Sequence, residues 1–478
     1  MRILLCKTFW FFIFLLINII PLQAQSFVSS VEYGATVHTG DNTPLWQASL
    51  QHGLSSIDNN TYLRGGTFYK DTIRSWVFDT GLDLAVASGF TSVFVMQQAY
   101  ADIRYKWLGL RFGSWEEMPT PLNHSLSSGG MSWSGNALPI PQIRVGFPDY
   151  ITLFPFFKLK CETSYGWFTD NNFQKKIVGE TSNNYTKNTK YHHKSLYIRI
   201  GKPQWHLSFE GGYTLDEQFG GYQMAGKKQI WDLGNSLKDY IVAFFPQGGG
   251  EDGPANETYF KGNYTGNEHL KFSYQLKNSV ISAYMENYFE DFSAMGKLNG
   301  VDGLWGIEYA THQKQVINAI VLEYLQTTNQ CGPLSAAILG DNSKENIING
   351  ADNYYNNGIY TGWQHWGMAL GNPLLRSPIY NQNGYLGFPY NRIKAVHIGW
   401  SGDITDKWTY RMKLTYNQTF GTATSPTLDI LDNYSTFAEV TYIPQVANGW
   451  ILTASTAFDT GYLYGDNWGI QLKINKRF

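Results

Sequence analysis

The stretch Trp468-Gly469-Ile470-Gln471-Leu472-Lys473-Ile474-Asn475-Lys476-Arg477-Phe478 decides the fold. Trp468, Ile470, Leu472, Ile474 and Phe478 share one parity; Gly469, Gln471, Lys473, Asn475 and Arg477 share the other. Successive side chains of a strand point to opposite faces, so one face here is apolar and the other polar. A soluble sandwich could use such a strand between two sheets. A strand that stops on Phe is the expected closing strand of an outer-membrane barrel, with its apolar side on lipid and its polar side on the lumen.

The same alternation runs through the chain. Val31, Tyr33, Ala35 and Val37 oppose Glu32, Thr36 and His38, and Trp46, Ala48 and Leu50 oppose Gln47, Ser49 and Gln51. Trp76, Phe78, Leu82, Leu84 and Val86 oppose Asp79, Gly81 and Asp83. Leu159, Leu196, Leu207, Leu270, Ile307, Ile398, Leu414, Val440 and Leu452 mark further apolar faces opposite Lys, Glu, Ser, Gln and Gly. These repeats predict an all-β fold, a transmembrane antiparallel β-barrel of about 18 strands.

Composition and the amino-terminal segment fit that class. Arg2 and Lys7 precede an apolar run from Phe9 to Leu22, and Leu22 and Ala24 occupy positions read by a signal peptidase. Residues 1–24 are therefore expected to be a signal peptide and 25–478 the barrel. Aromatic residues make up 16% of the chain, glycine numbers 48 and charged residues are only 15%. Aromatic girdles and glycine-rich turns suit a barrel. A mean hydropathy of -0.29 is compatible with it, because half of each strand is polar. The formal charge is -2, or about -4 without Arg2 and Lys7, and gives no support to nucleic-acid binding. Cys161 shares parity with Leu159 and is expected to face lipid; Cys331 lies in a loop, so no disulfide is expected.

Three stretches break the rhythm. Pro119 to Pro148 is rich in Ser, Gly and Pro, and Gly332 to Tyr390 is a long loop rich in Asn, Gly, Tyr and Trp. Between them, residues 216–267 hold a helical pattern from Asn235 to Phe245, with an Asn or Ser cap, a Pro246 stop and the flexible exit Gln247–Gly250. This helix is expected on the periplasmic or lumen side, as a plug or packed beneath the barrel. The segments Ser127–Pro148 and Gly332–Tyr390 are expected to form the outer recognition surface.

Leu126-Ser127-Ser128-Gly129-Gly130-Met131-Ser132-Trp133-Ser134-Gly135-Asn136-Ala137-Leu138-Pro139-Ile140-Pro141-Gln142-Ile143-Arg144-Val145-Gly146 resembles the signature of the Wzi-type capsule assembly proteins, in the form found in Bacteroides-like bacteria. His192-His193-Lys194-Ser195, Leu237 to Gly250, Asn353-Tyr354-Tyr355, Gly362-Trp363 and Gly371-Asn372-Pro373-Leu374 also match, so the resemblance spans nearly all of the mature chain. It implies an outer-membrane barrel of eighteen strands, closed by helices on the periplasmic side and by folded loops outside. The implied function is lectin-like attachment of capsular or other surface polysaccharide, without catalysis. Outer loops vary widely in that family, so the particular glycan does not carry over.

Sugar recognition needs aromatic platforms, amides and Arg. Tyr360, Trp363, His365, Trp366 and Arg376 supply these within one loop, and Trp133, Asn136 and Arg144 within the earlier segment. The competing reading is that the aromatics pack a loop core and that Asn136 and Pro139 shape a turn. Arg144 points into the lumen, where Asp79, Asp83 or Glu162 could pair with it.

Against an enzyme, His193 and Ser195 share a lumen-facing parity, but no orienting acid can be assigned and no catalytic residue is expected. His192 and His193 point apart, so no metal site is expected, and no cofactor. The other function class is a general or solute-specific porin. The partners expected are polysaccharide, outer-membrane lipid and the barrel-insertion machinery, which reads Phe478, with a monomeric chain in the bacterial outer membrane.

Overall fold

The computed structural model describes residues 27–117, 121–245, 261–290, 292–332, 352–444 and 448–478. The leader assigned to 1–24 and the stop and exit at Pro246–Gly250 lie outside them.

Eighteen antiparallel strands form one sheet, each bonded to the next barrel strand along the chain. The sheet closes because Phe27–Thr39 pairs with Asn467–Arg477, Gly34 standing opposite Lys473. Closure follows from the surroundings that the sequence implies: backbone amides and carbonyls in hydrocarbon need partners, and a closed sheet has no open edge. The expected parity holds. Val31, Tyr33, Leu196, Ile307 and Leu472 are exposed on the outside, while Thr36, Gln471 and His269 are buried inside. Inward charges pair across strands at 2.5–3.0 Å, as in Arg64–Asp83, Arg111–Asp102, Arg199–Glu210, Lys271–Glu308 and Arg411–Glu439. No disulfide links Cys161 to Cys331.

Connections differ at the two ends. Those at the end carrying the chain termini include two-residue turns such as Arg74-Ser75 and Lys106-Trp107. The opposite end carries the long connections 40–59, 115–141, 168–189, 220–262 and 327–392. Short turns face the periplasm in such barrels, which puts the long loops outside.

Three expectations change. Trp46, Ala48 and Leu50 are not on a strand. Pro44 opens a short helix, Leu45–Ala48, that is buried within the lumen, where Trp46 Nε1 donates to Thr415 Oγ1 at 3.1 Å. The helix of the 220–262 connection, Leu237–Phe244, lies at the long-loop end rather than on the periplasmic or lumen side, because it joins two strand ends distant from the termini. It packs against the outer surface of the wall, where Tyr165 Oη donates to the carbonyl of Tyr240 at 2.7 Å. The segment Ser127–Pro148, expected on the outer surface, divides: residues 127–141 fold into the lumen, where Ser128, Met131 and Asn136 are fully buried, and 142–148 belong to the barrel strand Gln142–Phe154.

Leu472, 52% exposed, occupies the outward face of the closing strand. Leu472→Arg is expected to lower folding stability in phospholipid vesicles by about 2–4 kcal/mol, the cost of a cation near the bilayer midplane. Denaturant titration in vesicles checks this, and an unchanged midpoint would contradict the outward assignment.

Candidate functional site

The long-loop end of the lumen is filled by a plug. Wall residues of inward parity, among them Tyr284, Leu304, Leu325, Ile393 and Phe437, form one buried cluster with Trp46, Met131, Tyr354, Tyr355, Trp363, Leu374 and Phe388 from the loops. Two wall carboxylates tie the plug down. Glu323 accepts from Ser127 Oγ at 2.6 Å and from the Ser128 amide at 2.7 Å, and Glu286 accepts from the Met131 amide at 2.7 Å. The two long segments are then stitched together. Ser134 Oγ donates to Gly371 O at 2.6 Å, Asn136 Nδ2 to Ala369 O at 2.9 Å and Trp363 Nε1 to Ser132 O at 2.7 Å. Gly371 is needed at this crossing, because a Cβ there would stand 2.0 Å from Tyr355 Oη and 2.1 Å from Met131 O.

The residues singled out for sugar contact take different places. Asn136, Tyr360, Trp363 and His365 are buried, and they hold the plug. Asn136 also accepts from the Leu50 amide at 3.0 Å, while Tyr360 packs with Leu233 and Ile359. Trp366 and Arg376 are half-buried nearer the surface. Trp366 Nε1 donates to Thr169 Oγ1 at 3.2 Å, and Arg376 donates to Tyr380 O at 2.6 Å with its guanidinium over the Tyr380 and Tyr390 rings. Trp366 edges an apolar groove of 300 Å³ with Phe94, Pro139 and Ile379.

Trp133 and Arg144 both line a polar lumen cavity of 70 Å³. Trp133 Nε1 is buried there without a hydrogen-bond partner among the described residues. Arg144 donates to Glu117 at 2.8 Å; of the acids expected to pair with it, Glu162 lies at 3.9 Å, Asp83 bonds Arg64 and Asp79 bonds Tyr100. Burial would raise the Glu117 carboxyl, but Arg144 outweighs it and holds the group at about 2. His193 lines the same cavity, and its Nδ1 lies 2.7 Å from Asp216, an orienting acid that the sequence pattern did not reveal. No group of three or more potential metal ligands occurs among the described residues.

A cleft of 560 Å³ at the long-loop end lies apart from the residues singled out in the sequence; it is lined by Asn183, Asn184, Asn353, Asn356, Asn357, Thr361 and Tyr385, with no charged side chain among the described residues. Asn356 is committed to the loops, bonding Asn353 Oδ1 and Phe388 O, and Asn357 accepts from the Ile359 amide. Asn184 and Tyr385 are exposed, the latter by 39%. Amides and a phenol ring lining one cleft are the groups that a neutral sugar takes. The readable signal was the clustering of Asn in both loops, at 183–184 and 353–357.

No protein-family model matches the chain, and no curated protein sequence matches it. Among solved structures it is similar to Wzi of Escherichia coli, described as an outer-membrane protein involved in group 1 capsule assembly and a carbohydrate-binding β-barrel. The two are 13% identical over 93% of this chain and 83% of that one, with a TM-score of 0.56. OccD3 of Pseudomonas aeruginosa is 8% identical over 96% and 92%, with a TM-score of 0.48. The outer-membrane protein OprD of the same organism is 10% identical over 95% and 93%, with a TM-score of 0.47. At such identity the likeness to Wzi shows the fold, a closed outer-membrane β-barrel, and supports an outer-membrane location.

Burial lowers the His365 imidazole from 6.5 to about 4, and its Nδ1 lies 2.7 Å from Leu138 O inside the plug. A His whose folded value is depressed stabilises the fold above its unfolded value and loses that contribution as pH falls. Amide exchange around Trp363–Leu370, corrected for intrinsic rate, is expected to rise between pH values of about 6.5 and 4. Protection independent of pH over that window would contradict the assignment.

Proposed function

We propose that the protein is a closed, non-enzymatic outer-membrane barrel that holds surface polysaccharide on its long-loop face. The observation that carries this reading is the plug. A cylinder of eighteen strands is wide enough for an aqueous channel, and here an apolar cluster running from wall to loops occupies that space. The Asn184–Tyr385 cleft then offers the surface on which a neutral portion of a glycan binds. The reading carries over, as a proposal, the carbohydrate binding stated for Wzi and the membership of the Wzi-type family that the Ser134–Arg144 motif implies. A monomer embedded in lipid, inserted through recognition of Phe478, completes it.

A solute-specific pore is the second reading. The ion-paired lumen favours it, together with a polar cavity of 380 Å³ lined by Arg199, Glu210, Lys271 and Glu308. In the first reading these charges balance one another and stabilise the inner wall, and nothing passes the plug.

The test is retention of surface polysaccharide by cells lacking the gene and complemented with wild type or with Asn184→Ala/Tyr385→Ala. Loss in the deletion strain, restoration by wild type and incomplete restoration by an equally abundant double variant are expected. Retention unchanged by the deletion would overturn the function. Full restoration by the variant would remove the cleft from it.

A further inference from the structure

The helix Leu237–Phe244 presents its apolar stripe in the opposite direction from a water-exposed surface helix. Its start is fixed by Ser236, whose amide donates to Asp239 Oδ2 at 2.7 Å, and Lys261 pairs with Asp239 at 2.6 Å. Its other end is held by polar groups of the outer wall. Tyr165 Oη donates to Tyr240 O at 2.7 Å, Tyr264 Oη to Ala243 O at 3.3 Å, and Lys194 Nζ to Phe244 O. Tyr165 stands opposite His192 and Thr163 opposite Lys194 in the sheet, on the outward face that also carries Cys161 and Leu196. The lysine and histidine on a lipid-facing row are thus accounted for: the helix covers them, and its free carbonyls take the Lys194 ammonium.

The opposite side of the helix carries Leu237, Ile241 and Phe245, spaced four residues apart and therefore stacked on one face. They are 78%, 54% and 60% exposed. A helix bathed in water would turn such a stripe inward. Here the wall side takes Asp239, Tyr240 and Ala243 and the free side is greasy, as in helices lying in a membrane interface. The surroundings agree. Trp167, an outward aromatic of the kind that marks the interface, ends the strand that carries Tyr165, and the apolar outer wall continues directly below.

We propose that Leu237–Phe244 is a membrane-interface helix, whose Leu237–Ile241–Phe245 stripe rests among acyl chains at the headgroup boundary of the outer leaflet. The lipid-facing belt of the barrel then steps outward on this side, and Lys238 at the exposed edge reaches the headgroups. This inference rests on the outer-membrane location and not on polysaccharide binding.

The test uses the full-length protein in vesicles of phosphatidylethanolamine and phosphatidylglycerol, with Cys161→Ser and Cys331→Ser as background. A nitroxide is attached at Ile241→Cys and, separately, at Phe245→Cys, and its collisions with oxygen and with a water-soluble nickel chelate are measured. Leu196→Cys provides the lipid reference and Asp406→Cys the aqueous one. Oxygen contact several-fold above nickel contact, as at Leu196→Cys, is expected at both sites. Nickel contact matching Asp406→Cys would place the stripe in water and overturn the proposal. Low contact with both reagents would mean that protein covers the stripe, which overturns it equally.

Discussion

Pairing of Phe27–Thr39 with Asn467–Arg477 is the constraint on which the rest of the structure depends. Hydrocarbon offers no hydrogen-bond partners, so a sheet of this size must close on itself to persist there. Closure at eighteen strands leaves an interior too wide for wall side chains alone to fill. The chain solves the two ends of that interior differently. Near the termini the inner wall is polar, with charges of opposite sign in direct contact. Toward the long loops the inner wall becomes apolar, and loops fold back to bury it.

Those loops are held by charge as well as by apolar packing. Glu286 and Glu323 are fixed to the wall, and each accepts from backbone or hydroxyl groups of the segment around Ser127–Met131. Hydrogen bonds to a charged acceptor are stronger than neutral ones, and leaving a buried carboxylate without them would be costly. The Ser/Gly-rich motif therefore has a structural explanation. Small residues let two strands of irregular backbone approach within bonding distance, and the hydroxyls satisfy what the wall presents. Carbohydrate recognition, on the reading proposed above, falls to side chains at the outer rim of this packed body.

How much of this was legible follows from where polarity alternates. The closing strand, Phe27–Thr39 and Trp76–Ser88 could be read because water-like groups face inward there and lipid outward. Ala319–Gln326 could not, because Val321 and Leu325 are buried on the inside while Leu322 is exposed outside, so both faces carry apolar residues. Trp46 alternated convincingly but belongs to a helix inside the lumen, where tertiary packing overrides local pattern. The inward direction of Arg144 was readable, but its partner Glu117 was not, since the acid lies beyond the strand end and reaches back. Loop aromatics carry no mark of burial in the sequence: Trp363 is fully enclosed and Trp366 half-exposed, three residues apart. Cap and apolar pattern mark Leu237–Phe244 as a helix, whereas its location depends on which end of the barrel it bridges.

The most direct measurement of a plugged cylinder is ion current through the purified, folded protein reconstituted in a planar bilayer. A wall sealed by the Trp363–Phe388 cluster predicts a baseline without steady openings. Steady ohmic steps from the wild-type protein would contradict it, because ions would then be crossing the space assigned to packed side chains.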